Sequence, residues 1–302
     1  MAAERVGHRF GGAWTELKLD AVEYYMKCYT RALTSARMDT WYIDAFAGPG
    51  DREVDREAGG IFEGEPIRTI TEVLDGSALR AMKIDPPFNH FIFIEQRPDF
   101  CEALNAIKVR EKTRDITVLR GDANSELVAL MGRSPWNLRD LSRSRGVVFL
   151  DPYAMQIDWT TLEALAASRV LDVWYLFPLR DVTRQLANDF SGVGPKAPKL
   201  DRMLSPRWRE LYNLAEPQAD TLGGLFDEPA ELKRMATKKQ IETWFHGVLG
   251  DKFPFVSDPL PILVDGGRHA FSLFLCVSNP AKQATELAEK FVRYVNRNYG
   301  PK

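Results

Sequence analysis

Short apolar runs alternate with helical patterns along most of this 302-residue chain, and that order restricts the folds it can adopt. Because parallel strands need a crossover helix between them, the alternation predicts a doubly wound, mostly parallel α/β sheet with helices on both faces. The runs expected to form buried strands are 41–47, 90–95, 116–119, 146–150 and 171–177. Helices are expected between them at about 66–82, 98–112, 123–131 and 159–168.

The flanking segments are expected to complete a single domain over 1–302. A helix is predicted at about 14–37, and two helical pieces near 206–215 and 231–250 are interpreted as a helical insertion or lid. The runs 261–264 and 271–277 flank a Gly-Gly pair, which predicts an antiparallel hairpin before a last helix. The expected parts are the N-terminal helix (1–40), the Rossmann-like core (41–180), the insertion (181–255), and the hairpin with the last helix (256–302).

Composition restricts the partners and the compartment. The chain has 40 Lys+Arg and 42 Asp+Glu, a net charge of −2, which offers no overall attraction to nucleic acid or to a membrane. Three cysteines with long, unpatterned spacings argue against a disulfide framework and against a Cys-based metal or iron–sulfur cluster. No apolar run approaches the ~20 residues that span a bilayer, and the N-terminus lacks the apolar stretch of a signal peptide. We therefore expect a cytoplasmic protein without a metal.

Four of the five predicted core strands carry a carboxylate at or just beyond the carboxyl end: Asp44, Glu95, Asp122 and Asp151. The carboxyl ends of parallel strands meet at one edge of a sheet, where open α/β sheets bind their ligands. Each carboxylate alone could equally cap a helix or a loop. The four together favour a binding site.

The first strand leads into Asp44-Ala-Phe46-Ala-Gly48-Pro-Gly50, and the glycines of this loop allow a ligand to approach the backbone closely. A nicotinamide dinucleotide site would carry G-x-G-x-x-G, with an acidic residue about 20 positions further on. This loop has only two glycines, and acidic residues follow it. Because its ammonium and sulfonium groups are positive, S-adenosylmethionine suits the site better than a pyrophosphate does.

S-adenosylmethionine gives each residue of this edge an expected role. Asp44 receives the ammonium, directly or through water, and Glu95 holds two ribose hydroxyls. Asp122 accepts from the adenine amino group beside the backbone donor of Ala123, while the loop glycines pass close to the methionine carboxylate or the ribose. The expected cofactor-binding residues are Asp44, Phe46, Gly48, Gly50, Glu95, Asp122 and Ala123.

Asp151-Pro152-Tyr153 follows the fourth predicted strand and is the candidate catalytic group. The carboxylate and the proline carbonyl offer two acceptors to an amine, and the tyrosine could stack on a planar group. The same residues fit a plain turn before a helix that begins near Asp158. The role of this segment stays open on sequence alone.

Basic residues offer weaker candidates for substrate contacts. Lys18 could reach the carboxylate of the cofactor, although its pattern favours a solvated lysine. Residues 133–145 hold four arginines, one aspartate and a tryptophan, and could contact phosphates or be a solvated loop. The candidates are Lys18, Arg139, Arg143 and Arg184.

Several stretches of the chain resemble the three-Cys-motif partner proteins (TcmP). They are Trp14-Thr-Glu-Leu-Lys-Leu19, Tyr42-Ile-Asp-Ala-Phe-Ala-Gly-Pro-Gly50, Phe91-Ile-Phe-Ile-Glu95, Gly121-Asp122, Val148-Phe-Leu-Asp-Pro-Tyr153 and Val173-Trp-Tyr-Leu-Phe-Pro178. The resemblance implies a seven-stranded fold similar to class I S-adenosylmethionine-dependent methyltransferases, closing hairpin included. It also implies a partner that bears the three-cysteine motif and is similar to radical S-adenosylmethionine proteins.

Two functions remain open. The first is a methyltransferase that acts on an amine, such as a nucleobase or a nucleotide-like substrate, in concert with the partner. Asp151-Pro152-Tyr153 looks like a shortened Asp-Pro-Pro-Tyr loop of amino-methyltransferases, without the second proline. That missing proline favours the alternative, a non-catalytic module that binds S-adenosylmethionine or docks a partner. The acidic and glycine positions favour the enzyme.

Overall fold

The structure is a computed structural model that describes residues 13–60, 65–141, 143–214, 232–234 and 236–299. The helices are α1 (Ala13–Ser35), α2 (Ser77–Met82), α3 (Pro98–Arg110), α4 (Ala123–Met131), α5 (Trp159–Ala167), α6 (Leu179–Gln185), α7 (Ala197–Leu204), α8 (Lys238–Gly250) and α9 (Lys282–Tyr299). The strands are β1 (Asp39–Asp44), β2 (Asp51–Gly60), β3 (Glu65–Asp75), β4 (His90–Glu95), β5 (Asp115–Arg120), β6 (Ser144–Leu150), β7 (Leu171–Phe177), β8 (Tyr212–Leu214), β9 (Leu232–Arg234), β10 (Phe255–Val256), β11 (Leu260–Val264) and β12 (Arg268–Val277). None of these helices combines the length and the apolar character needed to cross a bilayer.

One sheet of eight strands organises the molecule, in the order β10-β12-β7-β6-β1-β4-β5, with β11 paired to β12. The five strands from β7 to β5 in this order are parallel to one another. Strand β12 pairs antiparallel with β7, and β10 and β11 each pair antiparallel with β12. The predicted doubly wound α/β fold and its closing antiparallel hairpin are confirmed. The chain runs outward from β1 to β5 and returns on the other side of β1 as β6, so the strand order reverses between β1 and β6.

Helices cover both faces of the sheet, which explains why its central strands β4, β6 and β7 are mostly apolar and buried rather than alternating. Every residue of β7 is buried. One buried cluster joins one face of the sheet to α4, α5, α7 and α8, and a second joins the other face to α1, α2, α3 and α9. The helices thus cover both faces, and the carboxyl ends of the parallel strands lie together along one edge of the sheet.

The helix predicted at about 66–82 is wrong over most of its length. Residues Glu65–Asp75 form β3, which pairs antiparallel with β2, and only Ser77–Met82 is helical. The sequence of β3 is rich in β-branched residues, whose side chains lose rotamer freedom in a helix and suit a strand. A β-ribbon therefore follows the glycine loop directly.

The segment 181–255 contains most of α6 and all of α7 and α8, but its two predicted helical stretches differ from the structure. Tyr212–Leu214 and Leu232–Arg234 form a small antiparallel sheet, and the helix begins only at Lys238. Thr237 closes a capping box with Gln240, which sets that start. Residues 215–231 lie outside the described part of the chain.

Candidate functional site

A cavity of about 660 Å³ opens at the carboxyl edge of the parallel strands, beside the point where the strand order reverses. The loops after β1, β4, β5 and β6 contribute its walls, as expected for an open α/β sheet. Five residues predicted from the sequence line it: Phe46, Glu95, Asp122, Ala123 and Tyr153.

The loop after β1 depends on two glycines with positive φ, which other residues adopt at a cost. Gly48 has φ +59°, and a Cβ built there would meet nothing within 4 Å. Gly50 has φ +92°, and its Cβ would lie 2.5 Å from Cδ1 of Ile107 on α3. Gly48 is thus open to a ligand, whereas Gly50 is packed against α3 and shapes the loop from behind.

Glu95 ties the end of β4 to this loop. Its Oε2 accepts from the backbone N–H of Gly48 at 3.0 Å, and its Oε1 accepts from the N–H groups of Gln96 and Arg97 at 2.8 and 2.9 Å. The side chain is nearly buried but still lines the cavity. The carboxylate is therefore fixed in position at the cavity wall.

Asp44 lies beneath the loop rather than in the cavity wall. It is fully buried and accepts from the hydroxyl of Tyr42 at 3.1 Å and from the N–H of Phe46 at 3.2 Å. Burial raises the pKa of its carboxyl to about 6, and the nearby Asp151 adds to the shift. Asp44 thus holds the loop from below, and its role toward the ammonium of the cofactor, directly or through water, stays a prediction.

Asp122 caps helix α4, the role that the sequence offered as the plain alternative. Its Oδ2 accepts from the N–H of Ser125 at 3.0 Å. It also lines the cavity together with Ala123, the first residue of α4. The first turn of a helix presents N–H groups without partners in the helix, so this wall offers both a carboxylate and backbone donors.

The candidate catalytic segment contains an ion pair that the sequence did not indicate. The ammonium of Lys18 on α1 lies 2.5 Å from Oδ2 of Asp151, and the lysine side chain is only 4% exposed. The expectation of a solvated lysine is therefore wrong, because folding buries this position of α1 against the sheet edge. Pro152 is buried, whereas Tyr153 is 58% exposed. Desolvation, with Glu95 and Asp151 nearby, raises the pKa of the Tyr153 hydroxyl.

The two predicted arginines whose side chains the structure describes lie away from this edge. Arg143 immediately precedes β6 and donates to the backbone oxygen of Arg37 at 3.1 Å, so it lies at the amino ends of the strands, opposite the cavity. Arg184 is exposed on α6, outside the cavity lining. The side chain of Arg139 is outside the described residues.

Three cations that line the cavity were missed. Arg97 lies two residues after Glu95 and pairs with Asp99, and its guanidinium lies 3.8 Å from the ring centroid of Phe100. Lys199 and Arg202 reach the cavity from α7, and Arg202 pairs with Asp158 at 2.9 Å. Arg97 could have been found from its place at the end of a predicted strand. No local pattern marks the α7 residues, since only tertiary packing brings that helix to the edge.

No protein-family model and no curated protein matches the chain. Among solved structures, a Legionella pneumophila protein with the family label DUF519 is 14% identical, with 92% of this chain and 93% of that chain covered, at a TM-score of 0.45. A Clostridium acetobutylicum S-adenosylmethionine-dependent methyltransferase is 10% identical, with 84% and 91% covered, at a TM-score of 0.34. At this level of similarity, function has to be inferred from the chain's own site.

Proposed function

We propose that this protein is an S-adenosylmethionine-dependent methyltransferase that acts on a nitrogen of its substrate. One observation carries the proposal: four of the seven residues chosen from the sequence for this cofactor, Phe46, Glu95, Asp122 and Ala123, line one cavity at the reversal of strand order. Strand β4 ends at Glu95, and the neighbouring strand β5 ends at Arg120, just before Gly121 and Asp122. Phe46 belongs to the loop after β1. Three consecutive strand ends thus contribute to one wall.

The cavity suits the parts of S-adenosylmethionine in size and in chemistry. Its volume of about 660 Å³ falls within the roughly 300–1,000 Å³ of small-molecule sites. Glu95 would accept from ribose hydroxyls, and Asp122 would accept from the adenine amino group, with the N–H of Ala123 as a donor to the ring. The open side of Gly48 leaves room for the methionine part.

When bound, S-adenosylmethionine supplies a methyl group that forms a bond to the acceptor nitrogen, while the carbon–sulfur bond breaks, sulfur keeps the electron pair and the nitrogen loses a proton to water. The protein then has to position the acceptor and exclude solvent. The carboxylate of Asp151 and the carbonyl of Pro152 would accept from the acceptor's N–H groups. The exposed ring of Tyr153 beside the cavity would stack on a planar acceptor.

The two roles of Asp122 can be separated by substitution. Asp122→Ser keeps an N-cap oxygen but shortens the side chain, so stability should stay near wild type while affinity for S-adenosylhomocysteine falls roughly tenfold. Asp122→Ala should lose about 1 kcal/mol of stability as well. Urea denaturation and calorimetric titration measure the two effects. Unchanged affinity in both variants would show that Asp122 only caps α4.

The proposal is tested by binding and transfer together. Calorimetric titration with S-adenosylhomocysteine should show binding, which Glu95→Ala weakens by roughly a hundredfold because a buried acceptor of two ribose hydroxyls is lost. Glu102→Ala, at an exposed position of α3 outside the cavity, is the matched control and should bind as wild type does. Absence of binding to the wild type would refute the cofactor assignment.

Transfer of a radiolabelled methyl group from S-adenosylmethionine to pools of nucleic acid, protein or small molecules then distinguishes the enzyme from a binding module. Wild type should label one pool and Asp151→Ala should not. Equal labelling by Asp151→Ala contradicts the role of that carboxylate. Cofactor binding without labelling in any pool, alone or with the partner added, supports the non-catalytic module.

The sequence stretches that resemble three-Cys-motif partner proteins support a further part of the proposal, a partner protein that carries the three-cysteine motif. The three cysteines of this chain are free, and Cys101 and Cys276 are buried. A motif supplied by a second protein is compatible with that arrangement. Co-purification of the two proteins, or a partner-dependent rate of methyl transfer, would support it.

A further inference from the structure

The ion pair between Lys18 and Asp151 joins elements that are far apart in the sequence, at a separation of 133 residues. Lys18 lies on α1 and Asp151 directly follows β6, at the edge that carries the cavity. The lysine ammonium is 5.2 Å from the ring centroid of Trp14, and that ring stacks on Phe271 of β12 at 5.6 Å. These contacts hold the ammonium against the carboxylate.

The two oxygens of Asp151 have different surroundings. Oδ2 receives the ammonium of Lys18, whereas Oδ1 accepts no hydrogen bond from any residue that the structure describes. The Asp151 side chain is 26% exposed while that of Lys18 is 4% exposed, so the open part of the pair is the carboxylate. One acceptor oxygen therefore remains available beside Tyr153, and its charge is already balanced.

We infer that Lys18 determines the class of acceptor, by making the Asp151 carboxylate select a neutral N–H donor over a protonated amine. This inference rests on the proposed methyl transfer. A protonated amine would place a second positive charge beside the buried ammonium of Lys18, in a position where repulsion is poorly screened. A neutral ring amine or amide needs only the free oxygen as an acceptor.

The selection agrees with the chemistry of transfer. A protonated amine has no lone pair with which to form the new bond to carbon, so it must first lose a proton. A neutral amine whose N–H points to Oδ1 of Asp151 keeps its lone pair on nitrogen and can release its proton to water after transfer. Lys18 is a specificity-determining residue in this scheme and contacts no reacting atom.

The test uses two probes of the same site that differ in charge near the acceptor. Sinefungin carries a protonated amine in place of the transferred methyl group, and S-adenosylhomocysteine is uncharged there. Lys18→Met leaves the Asp151 charge unbalanced, so the ratio of sinefungin affinity to S-adenosylhomocysteine affinity should rise at least about tenfold. Lys18→Arg keeps the positive charge and should leave the ratio near that of wild type.

A matched control lies on the same helix. Lys27 forms an ordinary surface pair with Glu23, and Lys27→Met should not change the ratio. Asp151→Asn changes the other member of the ion pair. Because Lys18 keeps its charge while the carboxylate charge is removed, the ratio of sinefungin affinity to S-adenosylhomocysteine affinity should fall below that of wild type. Thermal melts show whether each variant is folded.

An unchanged ratio in folded Lys18→Met overturns the inference. If Lys18→Met does not fold, the Asp151→Asn ratio decides, and a value equal to wild type overturns the inference as well. Failure of wild type to bind either probe is a different result, because it refutes the proposed cofactor site instead.

Discussion

Gly50→Ala should destabilise the protein by about 2–4 kcal/mol, because the new side chain meets two separate costs. The backbone has φ +92°, a region that residues with a Cβ rarely adopt, and the Cβ would lie 2.5 Å from Cδ1 of Ile107. Since that contact is closer than atoms tolerate, the Ile107 side chain has to leave its packed position, or α3 or the loop has to shift. Urea denaturation of the unliganded protein measures the loss.

Two variants separate the costs. Gly48→Ala has φ +59° and no atom within 4 Å of the new Cβ, so it should lose only about 1–2 kcal/mol, from backbone strain. Ile107→Val removes Cδ1, the atom in conflict, and the double variant Gly50→Ala with Ile107→Val should therefore lose less than the sum of the single losses. Strict additivity would mean that the contact with Ile107 does not contribute.

The sequence predicted those parts of the fold whose signals are local. Helix α4 was expected at 123–131 and lies at Ala123–Met131, because Asp122 caps its start and Gly132 follows its end. The core strands were found because burial on both faces makes each a short apolar run. Strand β7 is buried at every position and was predicted with its observed bounds.

The β2–β3 ribbon could not be predicted in the same way. It is a two-stranded sheet separate from the main one, and neither strand has the continuous apolar run that marks the strands of the main sheet. β2 is a largely charged sequence, Asp51-Arg-Glu-Val-Asp-Arg-Glu-Ala-Gly-Gly60, in which hydrophobic alternation is absent. Because β2 cannot be recognised as a strand from its sequence, the apolar residues of β3 were interpreted as the face of a helix.

At the candidate site, sequence reasoning found the residues at strand ends and missed contacts made over long separations. The expected roles of Glu95 and Asp122 remain predictions, but both side chains line the cavity. The partner of Lys18 could not be found, because one helical turn gives no information about a carboxylate 133 residues away. Burial of Asp44 was missed for a related reason: a strand-end position does not say whether a carboxylate faces the cavity or the floor of the loop.

Asp172→Asn should make the protein more stable than wild type at alkaline pH, with a difference that grows by about 3 kcal/mol between pH 5 and pH 8. Asp172 is buried in the second position of β7, and the hydroxyl of Tyr25 donates to its Oδ2 at 2.6 Å. Burial raises the pKa of this carboxyl from 3.8 to about 7, although the Tyr25 hydrogen bond and the charge of Arg145 oppose the shift.

The sign follows from proton binding. With a higher pKa in the folded state, the folded protein binds the proton more tightly than the unfolded chain, so this group's contribution is complete below pH 3.8 and is lost as the pH rises through about 7. Asparagine cannot ionise, and its side-chain oxygen still accepts from Tyr25. Wild-type stability should therefore fall with rising pH relative to the variant.

The control is Asp258→Asn, an exposed position, which should follow the wild-type pH dependence. Urea denaturation at pH 5, 6.5 and 8 provides the comparison without any ligand. Asp172 pairs with Val147 and Val277 at the amino end of β7, opposite the cavity, so S-adenosylhomocysteine binding to the folded variant should match wild type. A difference between Asp172→Asn and wild type that stays constant with pH would mean that Asp172 ionises alike in the folded and unfolded states.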